Sequence, residues 1–458
     1  MAKATGSDSS SRRFLGSTML PPVTLTDDDA QEYRSIAAES FRETSALYED
    51  FLYQQNRTLD TRRWKLVRSK DNVQVYRQRS GSNDAGMTTT ASAASLAASQ
   101  GPVSGPPASS TSSPEPLEDD ALLIGPGSSL SVASKIPVLV STGTVQGSLD
   151  DVMYGVFTDD TASLRRRAIY GKDRVDDVAM LGALETPTHA APFDFLGVAW
   201  MLYPGLGALV KQRDYVVLLR TGIATTSRGE RIGYGISQSV SHRDLPPLKH
   251  LDVLRGSMSF CVLYRQLGDQ LVESFMHTVV DPGGAALTFF VLQEIAASTM
   301  GLAAPIECAH GKKLRWYLQK TAARQADASG ASASFSSSSS SSSAATEPNH
   351  PSSHQHKPQE LSARGESAPS SCSYCHKSIG RLFSAQSAQC TICREVRSRL
   401  AAVAVGKSLV VRSSRHKAGM TTHAYAFCLG CFLTAKNRSA VDIQRDEVLP
   451  KRSLGASR

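Results

Sequence analysis

The first clear pattern in the chain is a set of hydrophobic residues at helical spacing. These residues are Tyr33, Ile36, Ala37, Phe41, Leu47, Tyr48 and Phe51. Thr26 precedes three aspartates, and a hydroxyl followed by acidic side chains is typical of a helix N-terminus. The pattern therefore predicts an amphipathic helix over residues 26–55.

Shorter segments rich in β-branched and aromatic residues predict strands. Residues 64–77 contain two such runs on either side of an Asp-Asn dipeptide at 71–72, so we expect a hairpin. A further strand should occupy residues 136–147, followed by a helix capped by Ser148. The remaining strands are expected at residues 165–171, 213–221, 231–240, 258–265 and 270–280.

Two long apolar stretches follow. Residues 192–204 are almost continuously apolar, and residues 287–303 are apolar over a length that exceeds most strands. We expect the second stretch to be a buried helix, followed by another helix at 306–322. The order of elements predicts an α+β domain in which helices cover one face of an antiparallel sheet.

Low-complexity segments divide the chain into parts, since Ser-rich tracts such as residues 336–343 cannot form a core. The expected parts are a disordered N-terminus at 1–25, a domain at 26–322 with a flexible insertion at 80–130, a disordered linker at 323–371, a cysteine-rich module at 372–438 and a mobile basic tail at 439–458.

Six of the eight cysteines form three CxxC pairs in that module, namely Cys372/Cys375, Cys390/Cys393 and Cys428/Cys431. Paired thiolates can bind a metal ion from a tight turn, and no secretory signal is present, so metal binding is favoured over disulfides. Residues 372–458 carry 15 Lys and Arg against 4 Asp and Glu. This basic region suits phosphate groups or is a solvated tail, and it has too few aromatic residues to predict nucleic-acid binding.

No known catalytic motif is found in the sequence: GxSxG, P-loop and HExxH patterns are absent. The histidines are scattered without matched partners, so we expect a non-enzymatic protein. No apolar run is long enough for a membrane span. We therefore expect a cytoplasmic protein, with or without peripheral attachment to endomembranes.

The first domain resembles the START lipid-transfer family in the order of three motifs. They are the W-x-L-V…V-x-V-Y-R pattern at 64–77, the segment KQRDYVVL at 211–218, and the Asp-Pro-Gly-Gly turn at 281–284 before the apolar helix. The resemblance implies a helix-grip fold, in which a curved antiparallel sheet wraps a long C-terminal helix. It also implies a cavity for one hydrophobic, lipid-like ligand.

The resemblance suggests which residues would contact such a ligand. Arg213 and Asp214 are the polar candidates, although an ion pair that fixes a strand is an equal alternative. Plain core packing is the alternative for the apolar candidates, which are Phe193, Phe195, Val198, Trp200, Met201 and Leu202 for the floor or mouth, and Phe289, Phe290, Leu292 and Ile295 for the roof.

The cysteine-rich module resembles a divergent FYVE-type zinc finger, as found beside START-like domains in oomycete proteins. Such fingers use four cysteine pairs, of which the second and fourth bind one zinc ion. The resemblance implies a complete site formed by Cys390, Cys393, Cys428 and Cys431. The positions of the third pair hold Arg397 and Leu400, which do not bind zinc. Cys372 and Cys375 would then need substitute ligands, for which His376, His416 and His423 are candidates; the alternative is that they are free thiols or a reversible pair.

The basic patch of phosphoinositide-binding FYVE fingers is missing here, because only Arg394 lies beside the second pair. Arg412, Arg415 and Lys417 would support weak binding to anionic membranes. The sequence thus predicts a lipid-binding or lipid-transfer-like protein with a zinc module that docks on a membrane or a protein partner. A structural adaptor with a filled cavity and a RING-like ubiquitin ligase are the alternatives.

Overall fold

The computed structural model describes residues 20–21, 23–79, 137–205, 211–283, 296, 304–334, 387–398, 405–412 and 420–455. The insertion predicted at 80–130 lies outside the described residues, as does nearly all of the apolar segment at 287–303. Among the described helices, none is long and apolar enough to cross a membrane.

The chain divides into two units, which are treated separately. The sheet unit comprises Ser10–Ala309, Arg412–Thr421 and Ala440–Arg458. The cysteine unit comprises Met1–Ser9, His310–Val411 and Thr422–Ser439.

A ten-stranded sheet is the centre of the sheet unit. Its strands are β1 (Trp64–Lys70), β2 (Val73–Gln78), β3 (Val138–Gln146), β4 (Asp177–Glu185), β5 (Phe195–Tyr203), β6 (Arg213–Thr225), β7 (Arg231–Ser239), β8 (Leu254–Arg255), β9 (Ser257–Gly268) and β10 (Leu271–Asp281). They lie in the order β1-β2-β3-β10-β9-β7-β6-β5-β4, with antiparallel neighbours, and the short β8 pairs with β6 in parallel. The predicted hairpin is confirmed, with Asp71 at its turn in the left-handed region (φ 53°).

Helix α1 (Asp27–Glu49) packs on one face of this sheet, called the α1 face. Its start is a capping box: the Thr26 hydroxyl accepts from the Asp29 N–H at 3.2 Å, and the Asp29 carboxylate accepts from the Thr26 N–H at 2.7 Å. A π-helical segment, Asp50–Gln54, continues the helix. The rings of Tyr48 and Phe51 each lie 5.3 Å from the ring of Phe275 on β10. The helix predicted at 26–55 is confirmed.

Two short helices, α2 (Leu149–Val156) and α3 (Thr161–Tyr170), lie on the opposite face, called the inner face. Ser148 caps α2 as predicted, accepting from the Asp151 N–H at 3.1 Å. The strand predicted at 165–171 is wrong, because Asp160 and Ser163 form a capping box that starts α3. The expectation that helices cover only one face is also wrong, since the sheet carries helices on both.

Side chains on each strand alternate between these two faces. On β5, Val198 and Trp200 belong to the core on the α1 face, whereas Met201 and Tyr203 lie on the inner face. Strand β5 is buried over almost its whole length. It therefore shows no polar alternation in the sequence, so the apolar stretch at 192–204 does not by itself predict a strand.

Helix α4 (Ala304–Ser334) begins in the sheet unit and extends past the predicted domain end at 322 into the cysteine unit. The other elements in the described part of the cysteine unit are two strand pairs and a helix. They are β11 (Ser387–Gln389) with β12 (Val396–Ser398), β13 (Val405–Arg412) with β14 (Met420–Phe427), and α5 (Leu429–Lys436).

The last described element is helix α6 (Ala440–Gly455), which returns to the sheet unit. Ile443 and Val448 are buried, and the Tyr154 hydroxyl on α2 donates to the Glu447 carboxylate at 2.9 Å. This differs from the mobile tail expected at 439–458. Ala440, Ile443, Gln444 and Val448 are buried and recur at helical spacing, so one stripe of the segment packs.

Candidate ligand cavity and metal centre

A cavity of about 260 Å³ lies over the inner face of the sheet. Its floor consists of two neighbouring rows of residues that follow the cross-strand register. One row contains Met276, Val262, Gly235 and Thr221, and the next contains Phe260, Ser237 and Leu219. Because each row draws on three or more strands, the floor exists only when the strands are paired in this register.

The described walls come from α2, α3 and the first turn of α4. Val156, Leu164 and Ala168 face the cavity together with Pro305. Gly155 allows the helices to meet, since a Cβ atom there would lie 1.8 Å from the Pro305 carbonyl oxygen. The lining is mostly aliphatic, which suits a hydrophobic ligand held by burial of its surface.

Among the described lining residues of this cavity, the two charged side chains have opposite charges and form an ion pair. Arg167 Nη1 lies 4.0 Å from Asp173 Oδ2, and both side chains are about 40% exposed. Burial raises the pKa of Tyr264 to about 12, with a smaller opposing effect of Arg167. Burial also raises the pKa of Tyr203. The two hydroxyls therefore stay neutral at physiological pH.

The predicted polar contacts, Arg213 and Asp214, are not among the described residues that line this cavity. Asp214 is fully buried and accepts hydrogen bonds from Arg255 Nε at 3.0 Å, Arg255 Nη2 at 2.8 Å and Trp200 Nε1 at 3.0 Å. Arg213 donates to the carbonyl oxygens of Pro282 at 3.0 Å and Lys211 at 2.7 Å. These contacts match the alternative in which polar groups fix the strand.

The predicted apolar contacts fall in different places. Trp200 is fully buried on the α1 face, away from the cavity. Phe195 lies on the inner face, opposite Thr221 in the first row, with its ring 6.3 Å from that of Phe157. Neither is among the described lining residues. Phe289, Phe290 and Leu292 lie outside the described residues, so their contact with a ligand stays a prediction.

Sequence reasoning missed most of the cavity floor, including Ser237, Phe260 and Met276. A usable signal was the alternation within β7, where Gly233, Gly235 and Ser237 share one face. Three small residues in a row on one side of a strand indicate either close packing or open space. Here Gly233 packs against Met153, whereas Gly235 and Ser237 lie at the cavity.

In the cysteine unit, four thiols converge. The Sγ atoms of Cys390, Cys393, Cys428 and Cys431 all lie within 4.8 Å of one another. The Cys393 and Cys428 sulfurs are 3.9 Å apart. Two thiolates bound to one tetrahedral zinc ion at roughly 2.3 Å would be about 3.8 Å apart. The geometry therefore fits one metal ion held by four cysteines.

Local backbone structure brings the two pairs together. Cys390 and Cys393 lie in the turn between β11 and β12, where Arg394 adopts a left-handed conformation (φ 62°) and its N–H donates to the Cys390 carbonyl at 2.9 Å. Cys428 is the N-cap of α5, and its sulfur accepts from the Cys431 N–H at 3.4 Å. A turn and a helix N-terminus thus supply two ligands each.

The electrostatics of the thiols also suit a cation. Burial opposes ionisation of Cys390, but the backbone N–H groups of Cys428, Cys393 and Ile392 outweigh it and lower its pKa to about 7. Burial raises the pKa of Cys393 and of Cys431, and the neighbouring thiolates raise both further. A divalent metal ion between the sulfurs would remove this repulsion.

A small hydrophobic core supports the cluster. It includes Leu314 of α4 together with Ile392, Leu409, Phe427 and Ala435. Lys313, which is almost fully buried, donates from Nζ to the carbonyl oxygen of Lys436 at 2.8 Å. This places a cation at the C-terminus of α5, where it stabilises the helix dipole. Helix α4 is therefore part of the core that holds the metal ligands.

The other predicted residues of this region are only partly described. Cys372, Cys375, His376 and His416 lie outside the described residues, as do Leu400, Arg415 and Lys417. His423 is exposed on β14, with its ring 4.7 Å from that of Tyr425. Arg394 is exposed, whereas Arg397 and Arg412 are placed only by their strands, β12 and β13.

Comparison with known proteins gives structural neighbours alone. No family model matches the chain, and no curated protein matches it. Human STARD10 is similar to it at 14% identity, covering 57% of this chain and 78% of that chain with a TM-score of 0.33. Human StAR-related lipid transfer protein 5 is similar at 17% identity, covering 59% of this chain and 96% of that chain with a TM-score of 0.33. A STAR-related lipid transfer protein from Xanthomonas axonopodis is similar at 12% identity, covering 54% and 97% with a TM-score of 0.32.

Proposed function

We propose that the sheet unit binds one hydrophobic, lipid-like molecule in the cavity over the inner face. The observation that supports this is a cavity of about 260 Å³ with a mostly aliphatic lining and a floor formed by paired strands. That volume lies just below the usual range of about 300–1,000 Å³ for ligand sites. The ligand is therefore small, and open space over the inner face favours binding over a structural adaptor with a filled cavity.

Native mass spectrometry tests this function. Wild-type protein purified from cells should carry a non-covalent hydrophobic mass, and after delipidation it should rebind lipid from a total lipid extract. Gly235→Leu should reduce the bound fraction, because a Cβ at Gly235 already lies 3.2 Å from Val156. Gly268→Leu is the matched control, since nothing lies within 4 Å of a Cβ there. Delipidated wild-type protein that binds no lipid would refute the function.

We propose further that the four-cysteine cluster binds one zinc ion. The geometry of four sulfurs within 4.8 Å supports this assignment. Elemental analysis of the full-length protein should give about one zinc per chain, the stoichiometry of one four-cysteine site. Cys428→Ser should release that zinc, whereas Cys308→Ala, at a buried cysteine outside the cluster, should retain it. A ratio near two would mean that Cys372 and Cys375 hold a second ion. A metal-free protein after reconstitution would refute the site.

The role that we propose for the zinc module is docking on an anionic membrane surface rather than catalysis. The exposed Arg394 and the excess of Lys and Arg in residues 372–438, 11 against one Glu, support this role. Sedimentation with vesicles that contain anionic lipid should retain the full-length protein at low salt and release it at high salt. Lack of sedimentation at low salt would favour a protein partner, and autoubiquitination with purified components would favour the RING-like alternative.

A further inference from the structure

Strand β1 lies at one end of the ten-stranded sheet and, among the described strands, pairs only with β2. Its outer edge therefore carries backbone N–H and C=O groups that no described strand satisfies. Where the two strands meet, the Arg79 N–H donates to the Arg63 carbonyl at 2.8 Å. Because this bonding alternates along an antiparallel pair, the N–H and C=O of Leu66 point away from β2. The outer edge of β1 is thus available to another strand.

Four basic side chains of this hairpin lie on the inner face of the sheet, namely Lys65, Arg68 and Lys70 on β1 and Arg77 on β2. The register places them there, because the row through Arg68 continues across the sheet to Met276 at the cavity floor. None of the four has an ion pair or side-chain hydrogen bond within the described residues. Lys65 lies directly opposite Arg77, and like charges in that position are destabilising. This part of the inner face therefore favours an acidic partner.

The same strand presents an apolar side chain on its other face. Leu66 lies opposite Tyr76, which packs against the core on the α1 face, and Leu66 is 48% exposed. A flat membrane surface cannot contact both faces of one strand. An added strand can do so, because its side chains alternate between the same two faces.

The charges on β1 disfavour a second copy of this chain as the added strand. Pairing β1 with β1 would bring Lys65, Arg68 and Lys70 of both copies together, and cations on an edge strand oppose such self-pairing. A strand with acidic residues at alternate positions would meet opposite charge on the inner face. Apolar residues at its intervening positions would cover Leu66.

We propose that the outer edge of β1 binds an extended acidic segment of a partner protein by β-strand addition. Its acidic side chains lie on the inner face beside the unpaired cations, and its apolar side chains lie on the α1 face beside Leu66. Backbone hydrogen bonds supply the affinity, and the alternation of the side chains supplies the specificity.

Fluorescence anisotropy tests the proposal with full-length protein and a short labelled peptide of alternating glutamate and valine. The same peptide with lysine in place of glutamate should not bind. Arg68→Glu should weaken the glutamate peptide about fivefold, the size expected when one cross-strand attraction becomes a repulsion. Lys249→Glu is the matched control, because Lys249 is also exposed but lies outside the strands, in the short helix Lys249–Leu251. It should leave the affinity unchanged.

Hydrogen exchange followed by mass spectrometry separates strand addition from simple attraction between charges. The glutamate peptide should slow amide exchange within Trp64–Lys70, because the outward N–H groups of β1 become hydrogen-bonded. Binding without slower exchange there, or an equal loss of affinity in the two variants, would overturn the proposal. Absence of peptide binding at low salt would also overturn it. Loss of sedimentation with anionic vesicles in Arg68→Glu would then assign these cations to a membrane surface.

Discussion

Substitution of Asp214 by alanine should strongly destabilise the sheet unit. The carboxylate is fully buried and accepts three hydrogen bonds, two from Arg255 and one from Trp200. Its removal leaves a guanidinium and an indole N–H without their acceptor. Loss of one partner of a buried ion pair costs about 3–5 kcal/mol.

The expected cost lies at the lower end of that range. The Arg255 side chain is 20% exposed, so water can reach it. It also keeps the carbonyl oxygens of Leu245 at 3.1 Å and Pro246 at 3.2 Å as acceptors. We therefore expect Asp214→Ala to lower the free energy of unfolding by about 3 kcal/mol.

Urea unfolding followed by tryptophan fluorescence measures this loss. A Trp316→Phe background removes the tryptophan of the cysteine unit, so the signal reports Trp64 and Trp200 in the sheet unit. The matched control is Glu39→Ala, because Glu39 pairs with Arg42 at 2.5 Å on the surface of α1 but its side chain is 43% exposed. Exposed pairs contribute about 0–1 kcal/mol. Equal losses in the two variants would refute the role given to the buried carboxylate.

Three smaller predictions concern other positions of the sheet unit. Burial lowers the pKa of His277 to about 4, so the unfolded chain binds a proton at this site at a higher pH than the folded protein does. The free energy of unfolding should therefore be unaffected by this group above about pH 6.5. It should fall between pH 6.5 and pH 4, by up to about 1.4 kcal/mol per pH unit. His277→Asn should flatten this part of the urea-unfolding profile, and an unchanged slope would contradict the assignment. Gly155→Ala should lower the melting temperature by several degrees, since its Cβ would overlap the Pro305 carbonyl, while Gly268→Ala should not. Thr26→Ala should cost about 1 kcal/mol through loss of the capping box, and Thr26→Ser should be almost neutral in the same unfolding assay.

Local features of the fold were predictable because their causes are local. The Thr26 cap, the Ser148 cap and the turn at Asp71 each depend on a few neighbouring residues, and all three are present. The same kind of signal was available for α3 in Asp160 and Ser163. Without that cap, the pattern of arginines and apolar residues that follows also fits a strand. This explains why a strand was predicted at 165–171 where the structure has a helix.

The cysteine cluster was predictable for a related reason. Each CxxC pair fixes two sulfurs within one turn, and only two such pairs need to meet. The supporting core was not predictable, because Leu314 comes from a helix that also belongs to the sheet unit. No residue close to Cys390 or Cys428 in the sequence indicates that Leu314 packs against this cluster.

The cavity depends instead on which face of the sheet each side chain occupies. Trp200 and Met201 are adjacent apolar residues of one strand, yet Trp200 packs in the core on the α1 face and Met201 lines the cavity. A strand buried on both faces carries no polar alternation that would separate them. The two faces differ in the size of their side chains. On the inner face, the small residues Gly235 and Ser237 lie between larger neighbours, whereas Tyr234 and Ile236 pack in the core on the α1 face. Small residues leave space only where the facing helices do not fill it. A cavity at this position is therefore a property of the paired strands and helices together.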